Sequence, residues 1–440
     1  MIRLTTIVTT ALALALLASP FRAAQAGLDE YVKKSDPAFA WTLDKSEATD
    51  LGTLHHINLT SQKWQGITWV HHLQVYEPAT LTHGDAVLLF ITGGNIKNLK
   101  AEDRALGFGL AKLCGARVAV LPQVPNQPLL GDKTEDTLIA ETFVRYLETK
   151  DENWPLLFPM VKSAVKAMDA VQAWAKGEGR VVPSKFVVTG ASKRGWTTWL
   201  TGASDPRVVA IAPMVIDTLN MKAQKAHSLE VWGKFSEQID DYTSRGLTDK
   251  FDDPDGRKLW GMVDPYSYRA RLTIPKLLIN GLNDRYWTLD ALNVYWDDLS
   301  GPKSVVYLPN AGHNLAVNRD YALNGLAAFF RHNAANRPRP ALSWQHGDGP
   351  DGSLTLAVTS SPAPHGAKLW IARAETRDFR EATWEPTSMV IAGNVSRGSV
   401  ARPRNGYIAL VGDLAFETDG IPFHLSTQVR QTGANGEGGK

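Results

Sequence analysis

The sequence predicts an α/β protein: a mostly parallel sheet with helices on both faces, interrupted by a helical cap insertion and followed by a small all-β sandwich. Three observations predict it. Between about residues 86 and 333, short β-rich apolar runs alternate with helical patterns, the signature of parallel strands joined by crossover helices. Each run is almost wholly apolar, as strands buried on both faces must be. After Asn333 the helical periodicity stops, and strand-like segments follow at sandwich-like spacing.

In chain order, residues 1–26 read as an export signal: Arg3 starts it, residues 7–18 are apolar, and Ala24-Gln25-Ala26 supplies the small residues that signal peptidase needs. The apolar stretch is short of the ~20 residues of a bilayer span, and no second one follows. A periplasmic or secreted protein, without a stable membrane span, is expected. Residues 27–340 form the α/β domain, with strands at 86–92, 117–121, 185–189, 208–216, 276–280 and 304–308. Val161, Ala164, Val165, Met168, Val171 and Ala175 recur at helical spacing and mark a packing face, as do Ala322, Leu326, Phe329 and Phe330. About 50 residues separate the strand ending near Asp217 from the one starting near Pro275, longer than an ordinary crossover. This interval is rich in aromatics, including Trp232, Phe235, Tyr242, Phe251 and Trp260. It predicts a cap over about 222–273, above the carboxyl ends of the strands, where α/β folds bind ligands. Asn336-Arg337-Pro338-Arg339-Pro340 ends the last helix. Strands at 342–345, 353–359, 368–372, 406–411 and 423–429 then make a β-domain over 341–432, and a Gly-rich tail, 433–440, is expected to be flexible.

Composition narrows the function. Of 440 residues, 44% are hydrophobic and 21% charged, which excludes a disordered chain. The 47 basic and 45 acidic residues nearly balance, with no long basic run, so no nucleic-acid partner is expected. Cys114 is the sole cysteine, which rules out an internal disulfide; it reads as a small core residue at a helix end. His55-His56 and His71-His72 point to opposite faces if extended and make poor ligand sets, so no metal is assigned.

The chemistry concentrates in three strand ends. Lys185-Phe186-Val187-Val188-Thr189-Gly190-Ala191-Ser192 runs from a buried strand into a small-residue turn, and a helical pattern follows. This is the context of a nucleophile elbow, although the glycine expected two residues after the serine is Arg194 and Gly195 comes one later. The strand at 276–280 leads into Gly281-Leu282-Asn283-Asp284, and the strand at 304–308 into Pro309-Asn310-Ala311-Gly312-His313. Serine first, then an acid after a late strand, then histidine after the last strand is the chain order of an α/β-hydrolase triad. A serine hydroxyl needs a base at neutral pH, here His313, with Asp284 to orient the imidazole; Asp217 is the alternative acid. For the oxyanion, the backbone N–H of Lys193 is the first donor, and the Gly93-Gly94-Asn95 turn after the first strand offers a second, Gly94 ahead of Asn95.

The elbow, continued through Lys193-Arg194-Gly195-Trp196-Thr197-Thr198-Trp199-Leu200, together with Ala212-Pro213-Met214-Val215-Ile216-Asp217, Asn220-Met221 and Val263-Asp264-Pro265-Tyr266-Ser267-Tyr268, resembles the PhoPQ-activated pathogenicity-related protein family. The resemblance spans roughly residues 31–424 and implies an exported α/β-hydrolase-like protein with Ser192, Asp284 and His313 as its triad. Ser-Lys-Arg-Gly at the elbow is then a family trait. A cation after the nucleophile is also similar to the Ser-Arg elbow of glucuronoyl esterases, which implies a substrate-binding role for Arg194, beside Asn95. The expectation is a serine hydrolase of small-molecule or polymer esters working through an acyl-enzyme with no cofactor; the alternatives are a serine peptidase or a non-catalytic envelope- or virulence-associated binding protein.

Overall fold

A computed structural model of the chain describes residues 20–98, 103–434 and 436. Residues 1–19 of the expected leader, and 435 and 437–440 at the expected tail, lie outside them. Helix α1 (Pro20–Lys33) is followed by three long antiparallel strands that the sequence reading did not assign: β1 (Ala40–Thr49), β2 (Gly52–Trp64) and β3 (Ile67–Pro78). They escape a search for apolar runs because their buried positions include His55, His56, Gln62, His71, His72 and Gln74. These polar groups satisfy one another or neighbouring elements: His56 Nδ1 lies 2.9 Å from His72 Nε2, and Gln62 donates to the Pro159 carbonyl at 2.7 Å.

The parallel centre follows: β4 (Ala86–Ile91), α2 (Arg104–Cys114), β5 (Arg117–Leu121), α3 (Glu135–Thr149), α4 (Leu157–Gly177), β6 (Lys185–Ala191), α5 (Lys193–Ser204) and β7 (Val208–Met214). The cap helices α6 (Met221–Trp232), α7 (Asp240–Thr243) and α8 (Pro254–Val263) come next, then β8 (Lys276–Gly281), β9 (Lys303–Leu308) and α9 (Arg319–Ala334). The sheet order is β1-β2-β3-β5-β4-β6-β7-β8-β9, parallel from β5 to β9. Helices α2 and α9 pack on each other across one face, and α4 and α5 across the other. That double cover is why Val87, Leu88, Leu89, Val187, Val188 and Ile279 are fully buried and why these strands read as unbroken apolar runs.

The C-terminal segment folds as two facing sheets. One has the order β10 (Ala341–Asp348), β11 (Leu354–Ser361), β15 (Val395–Val400), β14 (Val390–Ala392). The other runs β17 (Ile421–Ser426), β16 (Tyr407–Thr418), β12 (Gly366–Ala374), β13 (Glu385–Ser388), with β18 (Arg430–Gly433) also on β16. Gly412 marks the closeness of the layers, since a Cβ there would lie 2.8 Å from Leu356. This β-domain is continuous with the α/β sheet: β17 pairs with β9 at Ser426 and Val305, and the Ser426 hydroxyl accepts the Tyr307 N–H at 3.0 Å.

Candidate active site

Three strand ends converge. Between β6 and α5 the chain turns at Ser192, whose φ of 59° and ψ of −124° lie where side chains seldom go. The turn closes because Ser192 N–H donates to Met214 O at 2.9 Å and the elements cross at glycine. A Cβ on Gly195 would sit 2.8 Å from Met214 O and Ile216, and one on Gly190 would sit 2.8 Å from the Cβ of Arg194. The glycine displaced to position 195 therefore still serves the helix–strand crossing.

His313, in the loop after β9, places Nε2 2.9 Å from Ser192 Oγ and Nδ1 2.8 Å from Asp284 Oδ2, in the loop after β8. A carboxylate can only accept, so Nδ1–H donates to Asp284 and Nε2 is left to accept from the serine. Asp284 is buried, and its other oxygen takes the Tyr286 N–H at 3.0 Å. Tyr286 also stacks on the imidazole, ring centroids 4.2 Å apart, with Trp287 edge-on at 5.6 Å. Sequence reasoning missed this pair; its signal was two adjacent aromatics, Tyr286-Trp287, just beyond the acid and Arg285.

The β-domain reaches the same loops. Asn283, adjacent to the acid, donates to the carbonyls of Arg380 and Ala382 at 3.2 and 2.7 Å, and Asn310 exchanges hydrogen bonds with the Trp384 backbone at 3.0 and 2.8 Å. Arg377 and Arg380 of that segment pair with the cap residues Glu230 and Glu237 at 2.9 and 3.1 Å.

Asp217 lies apart from the histidine. It is buried with its carboxyl held by the Tyr295 hydroxyl, and burial raises its pKa to about 7 against that hydrogen bond, with help from the charges of Asp284 and Asp290. Lys193 lines the cleft at the start of α5, its ammonium 2.6 Å from Asp136. The Gly93–Asn95 turn is pinned by Gln123 N–H to Gly93 O at 2.9 Å and Gln127 Nε2 to Gly94 O at 3.2 Å. Gly94 has φ +133°, which suits glycine, and a Cβ there would come within 3.4 Å of Gln123 N. Asn95 turns its side-chain oxygen to the N–H of Lys97 at 2.8 Å, within its own loop.

For Arg194 the arrangement corrects the expectation of substrate binding. Its guanidinium grips both Glu135 oxygens at 2.7 Å and the Val124 carbonyl at 2.6 Å, and a Cβ on Gly93 would strike it at 2.6 Å. Burial would raise the Glu135 pKa, but the hydrogen bonds and charge of Arg194 prevail and bring it down to about 2. Arg194 is thus a buried strut under the glycine turn. The residues quoted for the family resemblance also acquire a reason. Asp264 accepts the N–H groups of Met221 at 2.8 Å, Asn220 at 3.3 Å and Tyr266 at 2.9 Å, and Trp196 Nε1 donates to Val263 O at 2.5 Å. The two ends of the cap are therefore tied together and to the elbow helix.

Parallel strands between helical layers, an elbow serine after β6, and an acid and a histidine after β8 and β9 define the α/β-hydrolase class. Within it, the chain belongs to the PhoPQ-activated pathogenicity-related protein family, whose model matches residues 28–380. It is 34% identical over 396 residues to autocrine proliferation repressor protein A of Dictyostelium discoideum, covering 84% of this chain and 79% of that one. Among solved structures, acetyl xylan esterase 1 from Thermoanaerobacterium sp. JW/SL YS485 matches with a TM-score of 0.51 and 16% identity, over 72% of this chain and 94% of that one. The acetyl xylan esterase from Paenibacillus sp. R4 matches with a TM-score of 0.47 and 13% identity, over 71% and 93%.

Proposed function

We propose that this protein is an exported serine hydrolase that cleaves carboxylic esters without a cofactor. The observation that carries the reading is the Ser192–His313–Asp284 hydrogen-bond chain at a strained elbow. Ser192 Oγ attacks the ester carbonyl while its proton passes to His313 Nε2; the C–O bond then breaks and the alcohol leaves with that proton. Water, deprotonated by His313, attacks the acyl-enzyme, releasing the carboxylic acid and restoring the serine. Asp284 holds the imidazole tautomer and stabilises the imidazolium. Backbone N–H groups of Lys193 and Gly94, or of Asn95 in place of Gly94, receive the oxyanion, helped by the positive end of the α5 dipole.

Ester is favoured over peptide because the charged groups along the cleft are already paired. Lys193 is held by Asp136, and Lys225 by the Thr248 carbonyl and Asp249, which leaves none of them to grip a peptide terminus. One observation favours a second reading, a non-catalytic binding protein: the name of the Dictyostelium relative describes repression of proliferation and no reaction. A fluorophosphonate probe separates the two. Wild-type protein is expected to form an adduct at Ser192, located by mass spectrometry, and Ser192→Ala and His313→Ala to form none. A folded wild-type protein that takes no label would move the binding reading to the front.

A further inference from the structure

The cleft beside Ser192 has apolar walls although several charged residues form it. Lys193, Asp136, Lys225 and Gln224 all line it, yet each is engaged elsewhere. Asp136 takes the Lys193 ammonium at 2.6 Å, the Tyr242 hydroxyl at 2.9 Å and the Tyr286 hydroxyl at 3.4 Å. Lys225 donates to the Thr248 carbonyl at 2.7 Å, and Gln224 to the Ala291 carbonyl at 2.9 Å. Trp196, Ile216, Met221, Phe251 and Trp260 are among the apolar residues that make up most of the remaining wall, with the uncharged Thr218 and Ser228 between them. An ionised group placed there would lose its water and find no free counter-charge, whereas an apolar group loses nothing.

Size and direction follow from the same walls. The cavity measures about 120 Å3. An apolar cavity of ~150 Å3 holds one benzene, so this one suits about four to six carbons. Ser192 is part of the wall and His313 is not, while the His313 side chain keeps 27% of its surface exposed. The leaving oxygen must face Nε2 to receive its proton, so the alcohol departs on the solvent side and the acyl group occupies the cavity.

We propose that the cavity under the cap is an acyl pocket for an uncharged apolar group of about four to six carbons, branched aliphatic or aromatic, attached to the scissile carbonyl. The proposal rests on the ester-hydrolase reading, and its test keeps the two failures apart. The purified protein would be assayed on 4-nitrophenyl acetate, butyrate, hexanoate, benzoate and dodecanoate, in parallel with fluorophosphonate labelling. Butyrate, hexanoate or benzoate should exceed acetate in kcat/KM by about 10-fold or more, with a fall at dodecanoate. Thr218→Phe and Ser228→Phe each add bulk to the wall from a different element and should lower the butyrate-to-acetate ratio by about 10-fold. A flat or acetate-preferring profile in a protein that labels at Ser192, or an unchanged ratio in both folded variants, would overturn the acyl pocket and leave the hydrolase standing. Folded protein that neither labels nor cleaves any of these esters would overturn both.

Discussion

Asp217 shows how far a single side chain departs from what its position in the sequence suggests. It follows a sheet strand, as a triad acid could, but lies fully buried against Tyr295 while Asp284 takes the histidine. Its folded pKa of about 7 stands above the ordinary 3.8, so the sign of the pH effect is determined. Below pH 4 the carboxyl is neutral in both states; from there to pH 7 the unfolded chain gives up the proton and the folded chain keeps it, so stability falls as pH rises. Asp217→Asn keeps the shape and an acceptor for Tyr295 without that slope. Thermal melts should show the variant gaining on wild type between pH 4 and 7, by at most about 4 kcal/mol, with a constant difference above. Parallel melting curves across that range would refute it. Ser192 and His313 were legible as candidates because a strand end followed by a small-residue turn is a local pattern. The engagement of Arg194 was not, because Glu135 lies far off in sequence and only folding sets it beneath the elbow.

At the scale of elements, the cap is organised by one carboxylate. Asp264 gathers three backbone N–H groups from both ends of the insertion, at the start of α6 and in the Pro265–Tyr268 turn. Asp264→Ala should cost roughly 1–3 kcal/mol, because buried donors lose their acceptor, and should loosen the cap ahead of the sheet. Hydrogen exchange should show faster exchange at Met221 and Tyr266 with β6 unaffected; uniform protection would refute the link. The insertion itself was readable, since an aromatic-rich interval of that length between two strands has few other places to go. Its closure was not, because Asn220 and Asp264 carry no periodicity that relates them. The missed strands β1 to β3 have a different cause: they bury histidines and glutamines whose partners lie on a neighbouring strand, as for His56 and His72, or on a helix, as for Gln62, so neither alternation nor an apolar run marks them.

At the scale of the molecule, the β-domain is structurally part of the candidate site. β17 extends the central sheet past β9, and the segment before β13 holds the side chains of Asn283 and Asn310, whose loops carry the acid and the histidine. A chain stopped at residue 340 would bare the β9 edge and leave both amides without partners, so it should accumulate as insoluble or molten protein. Expression of that fragment, followed by near-UV circular dichroism and a urea melt, checks this; a soluble fragment with a cooperative transition would show the two parts to be independent.

The α/β class, the order serine, acid, histidine along the chain, the insertion and the change to all-β structure could be read from the residues alone, because each is written in local periodicity or in residues a few positions apart. It took the folded chain to settle which carboxylate meets His313, that the cations after Ser192 are neutralised by Glu135 and Asp136, and that the cleft beside Ser192 is walled mostly by apolar side chains. Those outcomes depend on side chains that are distant in sequence being brought within a few ångströms, where burial and charge pairing, rather than residue type, set what each group can do.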